Sequence, residues 1–180
     1  MNVGSSIRVF LVLAMMGACI PAFPQVRGVR AGGAFSFKGS GVSVLLDGPA
    51  NTSRYRFFVD FTDMLLGNTR QCGYQADYAL LYSLTRWDLA DELSIRPYVG
   101  PGLQVGYVRD WRKSRGVTLG VTAAAGFRLD FRRNVCIDLG LTFEAGFHLE
   151  AHSRYDTRLT FYRNGLFRAP IPELGLLYRF

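Results

Sequence analysis

From Val135 to Glu150 the chain reads VCIDLGLTFEAGFHLE, and every odd position, Val135, Ile137, Leu139, Leu141, Phe143, Ala145, Phe147 and Leu149, is apolar. The even positions, Cys136, Asp138, Gly140, Thr142, Glu144, Gly146, His148 and Glu150, are small, polar or charged. A period of two held for sixteen residues without a slip predicts an extended strand with two chemically different faces. Such a strand is about three times the usual soluble length, and longer than the roughly 9 to 11 residues that a tilted strand needs to cross a bilayer.

The same alternation runs upstream. In 117–131, Val117, Leu119, Val121, Ala123, Ala125, Phe127, Leu129 and Phe131 oppose Thr118, Gly120, Thr122, Ala124, Gly126, Arg128 and Asp130, and RRN turns tightly into the next strand. In SIRPYVGPGLQVGYVRD, Ile95, Val99, Leu103, Val105 and Tyr107 oppose Arg96, Tyr98, Gly100, Gly102, Gln104 and Gly106. Extending this reading predicts eight antiparallel strands at 27–38, 41–47, 54–63, 73–86, 93–109, 117–131, 135–150 and 171–180. Beyond the first 25 residues there is no helical period, internal linker or repeat, so 26–180 reads as one all-β domain.

Alternation does not say which face is inside. A solvated strand face is normally crowded with Lys, Glu and Thr, yet here the non-apolar face is rich in glycine: Gly100, Gly102, Gly106, Gly120, Gly126, Gly140 and Gly146. That face suits a crowded lumen and turns the apolar one outward, as in a membrane barrel. Aromatics fall near strand ends, Tyr55, Phe57, Trp87, Phe131, Tyr178 and Phe180 toward one rim and Tyr74, Tyr107, Trp111 and Phe147 toward the other. The expected fold is an eight-stranded antiparallel up-and-down transmembrane β-barrel. Its inward charges would be Arg56, Asp60, Asp77, Arg96, Arg128, Asp130, Asp138, Glu144, Glu173 and Arg179, of both signs because an unpaired charge in a low-dielectric lumen is costly. An interior of eight strands is filled by side chains, which excludes a wide pore.

The N-terminus sets the compartment. Arg8 precedes the apolar run VFLVLAMMGACIPAF and then PQVRG, the order of a secretory signal peptide over 1–25 with cleavage between residues 18 and 25. The run is too short for a membrane anchor and is broken by Pro21. A second reading of MGAC is lipid attachment at Cys19, although Met16 stands where such signals carry Leu. Removing Arg8 lowers the net charge from +7 to +6, and the basic residues are dispersed or in turns, which points to an anionic surface and to no nucleic acid. Cys72 and Cys136 would lie at opposite ends of the barrel, out of disulfide reach, and no Cys/His spacing fits zinc.

The chain ends in ELGLLYRF, where Glu173, Gly175, Tyr178 and Phe180 fit polar-x-Gly-x-x-aromatic-x-aromatic. This ending resembles the assembly signal of bacterial outer-membrane β-barrels, and the whole chain after the leader is similar to small eight-stranded barrels of the OmpA/OmpX type. The resemblance implies an outer-membrane location and recognition of the last strand by the barrel-assembly machinery. Within that frame Pro97 and Pro101 each remove a ladder hydrogen bond, and a bulge is expected around Gly100 to Gly102.

Two stretches suggest chemistry. GPGLQVG has neither the spacing of a dinucleotide fingerprint nor a following helix. FHLEAHSRYD carries His148, Glu150, His152, Ser153 and Asp156; on a continuing strand the first three share a face at steps of about 6.8 Å, within reach of a metal, or serve as lumen and rim polar groups. Outer-membrane lipid A deacylases are eight-stranded barrels whose histidine and serine stand two apart on one face. His152 and Ser153 are adjacent, so neither catalysis nor a cofactor is expected. The longest loop, Ala151 to Pro170, interleaves Arg154, Arg158, Arg163 and Arg168 with Tyr155, Phe161, Tyr162 and Phe167. It is a candidate surface for lipopolysaccharide or an external partner, or else a pair of strand extensions above the membrane. The expected role is structural or surface-interacting; a lipid-modifying enzyme using the His152 region and a narrow small-solute conduit are the alternatives.

Overall fold

The computed structural model describes residues 26–36, 39–61, 72–90, 92–109, 115–131, 134–153, 156–161 and 171–180, so the leader read over 1–25 lies outside the described residues. The described strands are β1 (Gly28–Ser36), β2 (Gly39–Asp47), β3 (Asn51–Asp60), β4 (Gly73–Ser83), β5 (Trp87–Ala90), β6 (Leu93–Arg109), β7 (Arg115–Phe131), β8 (Val135–Ser153), β9 (Asp156–Phe161) and β10 (Ile171–Arg179). Eight of them close a barrel in the order β1-β2-β3-β4-β6-β7-β8-β10, with β10 pairing both β8 and β1. All pairings are antiparallel, so the fold is the all-β up-and-down barrel that the alternation called for.

The registers fix its stagger. Level partners of Gly28 run through Asp47, Thr52, Leu81, Gly100, Ala124, Thr142 and Ile171, and the path returns to β1 ten residues above its start. A displacement of ten over eight strands inclines the strands by about 40°, with an interior wide enough for side chains only.

Both described termini lie at one end, the lower rim, with the connections 48–50, 91–92 and 132–134. The connections at the upper rim include 61–72 and the long segment after β8. β6, β7 and β8 run for 17, 17 and 19 residues. The pairing of β10 with β8 stops at Ile171↔Thr142, whereas β8 continues to Ser153 with β7 on one side and β9 on the other. A ribbon of sheet thus stands above the barrel on that side, and strand structure reaches into the segment that the sequence reading assigned to a loop.

Burial inverts the soluble pattern. Val42, Leu119, Val121 and Leu176 on the outer face are 55–59% exposed, while Arg30, Arg54, Arg56, Arg128, Asp77 and Asp138 are at most 7% exposed inside. The glycine face is indeed the crowded one. A Cβ on Gly126 or Gly140 would stand 2.7 Å from the Tyr98 hydroxyl, so the Tyr98 side chain reaches across that glycine pair on β7 and β8.

Three expectations need correction. β6 has no bulge at Gly100–Gly102: its register with β7 is unbroken from Leu93 to Arg109, and its register with β4 is the same before and after that point. Instead the β4 ladder lapses opposite Pro101 and Gly100, at Leu80 and Leu81, and lapses again at 84–86 near Pro97. Both prolines have the same parity, and the Pro97 carbonyl accepts from Leu84 N–H, so their missing donors face β4. The slip falls on that partner: between Ser83↔Tyr98 and Trp87↔Ile95, four steps oppose three. Second, Tyr55 and Phe57 are not at a rim. β3 begins at Asn51, three residues earlier than expected, which lifts them to mid-wall, where Tyr55 meets Tyr78 at 5.1 Å and Phe57 stacks on Tyr74 at 6.3 Å. Third, the segment 151–170 is not all loop: β8 runs on to Ser153 and β9 is an additional strand paired with it, the arrangement of the alternative reading as strand extensions.

Candidate functional site

The chemistry of the described residues is concentrated in the lumen, where inward side chains form layers once the tilt is allowed for. The lower layer contains Arg30, Arg96 and Arg128 with Asp47 and Asp130. Arg30 Nε lies 2.9 Å from Asp47 Oδ2, and Arg30 Nη1 donates to Asp130 Oδ1. Arg96 Nη2 approaches Asp130 Oδ2 at 2.9 Å, Arg128 Nη1 lies 3.7 Å from Asp47 Oδ1, and Thr52 donates to Asp47 at 2.9 Å. Cys136, a buried thiol, contacts Arg30 Nη1 at 3.4 Å.

Above this layer comes apolar bulk from two walls. Leu45 on β2, Leu177 on β10 and Cys136 on β8 form one cluster; Leu81 and Ala79 on β4, Tyr98 on β6 and Ala124 on β7 form the other. All are at most 3% exposed. The Arg128 guanidinium lies 5.5 Å from the Tyr98 ring centre, and on that wall the ring separates the lower charges from the next layer.

The middle layer is built on Arg54, Arg56, Asp77, Asp138 and Glu173. Arg56 Nε donates to Asp77 Oδ2 at 2.6 Å, and Arg56 Nη1 pairs with Glu173 Oε2, which also accepts from Thr142 at 3.0 Å. Arg54 is less tightly held, 3.7 Å from Asp77 and 3.9 Å from Glu173. Asp138 accepts the Tyr98 hydroxyl at 2.7 Å. Gln75 donates to Gln104 and, at 2.7 Å, to Glu144.

Of the ten lumen charges expected from sequence, eight thus join these layers: Arg56, Asp77, Arg96, Arg128, Asp130, Asp138, Glu144 and Glu173. Asp60 sits at the upper end of β3 opposite Gly39 and Gly73. Arg179 is exposed at the lower rim, beside Gly28, because β10 ends there. The sequence reading missed Arg30, Asp47, Arg54, Gln75 and the Tyr98 hydroxyl as network members. Arg54 shares the parity of Arg56 and Arg30 that of Ala34, so strand phase was the available signal once the strand starts were known.

The C-terminal motif divides by face. Glu173 points inward, and Gly175 is buried with Asp138 Cβ 3.0 Å from where its own Cβ would be. Tyr178 and Phe180 point outward, edge to face at 5.3 Å, with Phe180 78% exposed. Of the surface-loop candidates, Arg158 and Phe161 lie on β9; Arg154, Tyr155, Tyr162, Arg163, Phe167 and Arg168 lie outside the described residues. His148 to Ser153 belong to β8, and its register with β9 slips at His152, between Ala151 and Ser153. Among the described residues no group of three His, Cys, Asp or Glu could hold a metal. No protein-family model matches the chain, and no curated protein matches it.

Proposed function

We propose that this chain is a small bacterial outer-membrane β-barrel of the OmpA/OmpX type, with no catalytic role, acting as a structural or surface-interaction protein. The reading rests on one observation: buried arginines and carboxylates fill the inside while leucines, valines and aromatics stand exposed around the outside. An exposed apolar surface of that extent calls for a lipid neighbour, and backbone that closes on itself meets lipid without unpaired edges. The leader would deliver the chain to the periplasm, and the outward row Leu174, Leu176, Tyr178 and Phe180 would be read by the barrel-assembly machinery. The ribbon β8–β9 and the arginine- and aromatic-rich segment 151–170 would then face the exterior, the arginines meeting phosphates of lipopolysaccharide or an acidic external partner.

Membrane fractionation combined with gel mobility before and after heating tests the barrel: the protein should enter the outer-membrane fraction and migrate faster unheated than heated. Recovery in a soluble fraction would refute the reading. Replacing Arg154, Arg158, Arg163 and Arg168 together by Ser should weaken binding to lipopolysaccharide while leaving the heat-dependent shift intact. Equal binding by an assembled quadruple variant would remove this segment as the functional surface.

A further inference from the structure

Tyr55 and Tyr78 are direct partners on β3 and β4, with their rings 5.1 Å apart, and each stands at the centre of its strand, Tyr55 within Asn51–Asp60 and Tyr78 within Gly73–Ser83. Both belong to the outward set, because their chain neighbours Arg54, Arg56, Asp77 and Ala79 are buried in the lumen. Their register partners on the flanking strands are Val44 and Leu103, and at the same height Ala125, Leu141 and Leu174 face outward from β7, β8 and β10. Among the described residues, outward hydroxyls at mid-height thus occur on β3 and β4 alone. Tyr78 Oη lies 3.5 Å from Ser53 Oγ, at the far limit of a hydrogen bond, and no described residue gives the Tyr55 hydroxyl a hydrogen bond. Tyrosines at a membrane rim keep their hydroxyls among headgroups and water, but half-way up the wall the neighbour is hydrocarbon, which offers a hydroxyl neither a donor nor an acceptor.

We propose that the β3–β4 wall is the surface on which two copies of this chain meet side by side in the membrane. The inference rests on the chain being a membrane barrel. Two copies inserted the same way are related by an axis along the membrane normal, so every residue of the shared wall meets groups at its own depth. A patch that binds its own copy must therefore be complementary in charge to itself. A hydroxyl is, since its hydrogen is positive and its oxygen negative, whereas a patch of one formal charge would repel its copy. Tyr55 of each copy can donate to a hydroxyl of the other and accept in return, and the apolar walls built on Val121, Leu141 or Leu174 offer nothing of the kind. The stack of Phe57 on Tyr74 above and Tyr82 below continue the contact as rigid aromatic area.

The folded protein, labelled at its native Cys72 with donor or acceptor dye and mixed in phosphatidylcholine vesicles, should show energy transfer that declines as lipid is added. Tyr55→Phe keeps the ring and removes the hydroxyl from both copies, and the association constant should fall about tenfold. In a Cys72→Ser background, Leu80→Cys on the β3–β4 wall should form a disulfide-linked dimer under mild oxidation, and Leu139→Cys on the β8 wall should not. Absence of energy transfer in a protein that still shows the heat-dependent shift would overturn this proposal alone, whereas failure to enter the vesicles would overturn the barrel reading beneath it as well. Unchanged association of Tyr55→Phe, or equal cross-linking through Leu139→Cys, would also overturn the proposal.

Discussion

A buried charge in the lumen depends on its partner far more than an exposed one does. Asp77 is 1% exposed in its side chain, holds Arg56 at 2.6 Å and is the nearer carboxylate to Arg54, so Asp77→Asn leaves two guanidinium groups sharing Glu173. The expected loss is about 3–5 kcal/mol, read as a lower urea midpoint of the detergent-refolded barrel. Asp88→Asn, by contrast, breaks an Arg86 pair whose side chains are 58% and 62% exposed, and should cost less than about 1 kcal/mol in the same assay. Equal effects would mean that the inner network is solvated. Tyr98→Phe should fall between them, at about 1–3 kcal/mol, because it leaves Asp138 without its hydroxyl donor. At this scale the sequence was legible where phase was unambiguous: Arg128, Asp130 and Asp138 lie in long clean strands and were placed inward correctly. Arg30 and Asp47 were not found, because the first hairpin is mostly Gly, Ala, Ser and Val, and alternation between small residues does not distinguish faces.

At the scale of elements, glycine positions are set by the approach of neighbouring strands. A Cβ on Gly100 would stand 1.9 Å from the Leu80 carbonyl oxygen, at the lapse in the β4 ladder opposite Pro101, so the absence of a side chain there lets β4 stay against β6 without a bulge. Gly100→Val should therefore push β4 away and reduce the fraction of barrel that shows the heat-dependent shift, whereas Gly28→Ala, with its nearest neighbour Arg179 at 3.5 Å, should leave it unchanged. Comparable yields of the two would refute this account of the β4–β6 seam. β6, β7 and β8 were readable almost to their ends, because a two-faced environment writes a period of two into the chain. β5 falls in the connection expected between 73–86 and 93–109: its four residues are all exposed and carry no second face, and the slip that separates it from β4 is a backbone event opposite a proline. The last strand makes a different test. Phe180→Asp leaves the inward residues Glu173 and Gly175 untouched but ends the outward apolar row, and it should abolish outer-membrane insertion while export continues; normal insertion would discard the C-terminus as an assembly signal.

Taken as a whole, the molecule is a cylinder in which two charged layers are separated by apolar bulk, and this arrangement decides what can pass through it. Ion-pair layers alone would leave polar surfaces along which water could thread. Leu45 and Leu177 from one side and Leu81 and the Tyr98 ring from the other, each at most 3% exposed, interpose groups that offer water no hydrogen bonds. A constriction of this kind excludes ions by dewetting even where its radius would admit them. The native barrel reconstituted in a planar bilayer should accordingly show no discrete conductance. Leu45→Ala combined with Leu177→Ala removes the bulk of the β2/β8/β10 cluster while sparing every ion pair in both layers. It should cost stability, about 2–5 kcal/mol for each truncation before any relaxation, and should open a small conductance in the molecules that still fold. The control is Leu119→Ala, which removes the same side chain from the outer face, where Leu119 is 57% exposed, and leaves the lumen as it was. A native barrel that conducts would show that the lumen is not closed at all; a folded double variant as silent as the native protein would show that the apolar clusters are not what closes it, the ion-pair layers would then have to form the seal, and Arg128→Met would become the variant to open it.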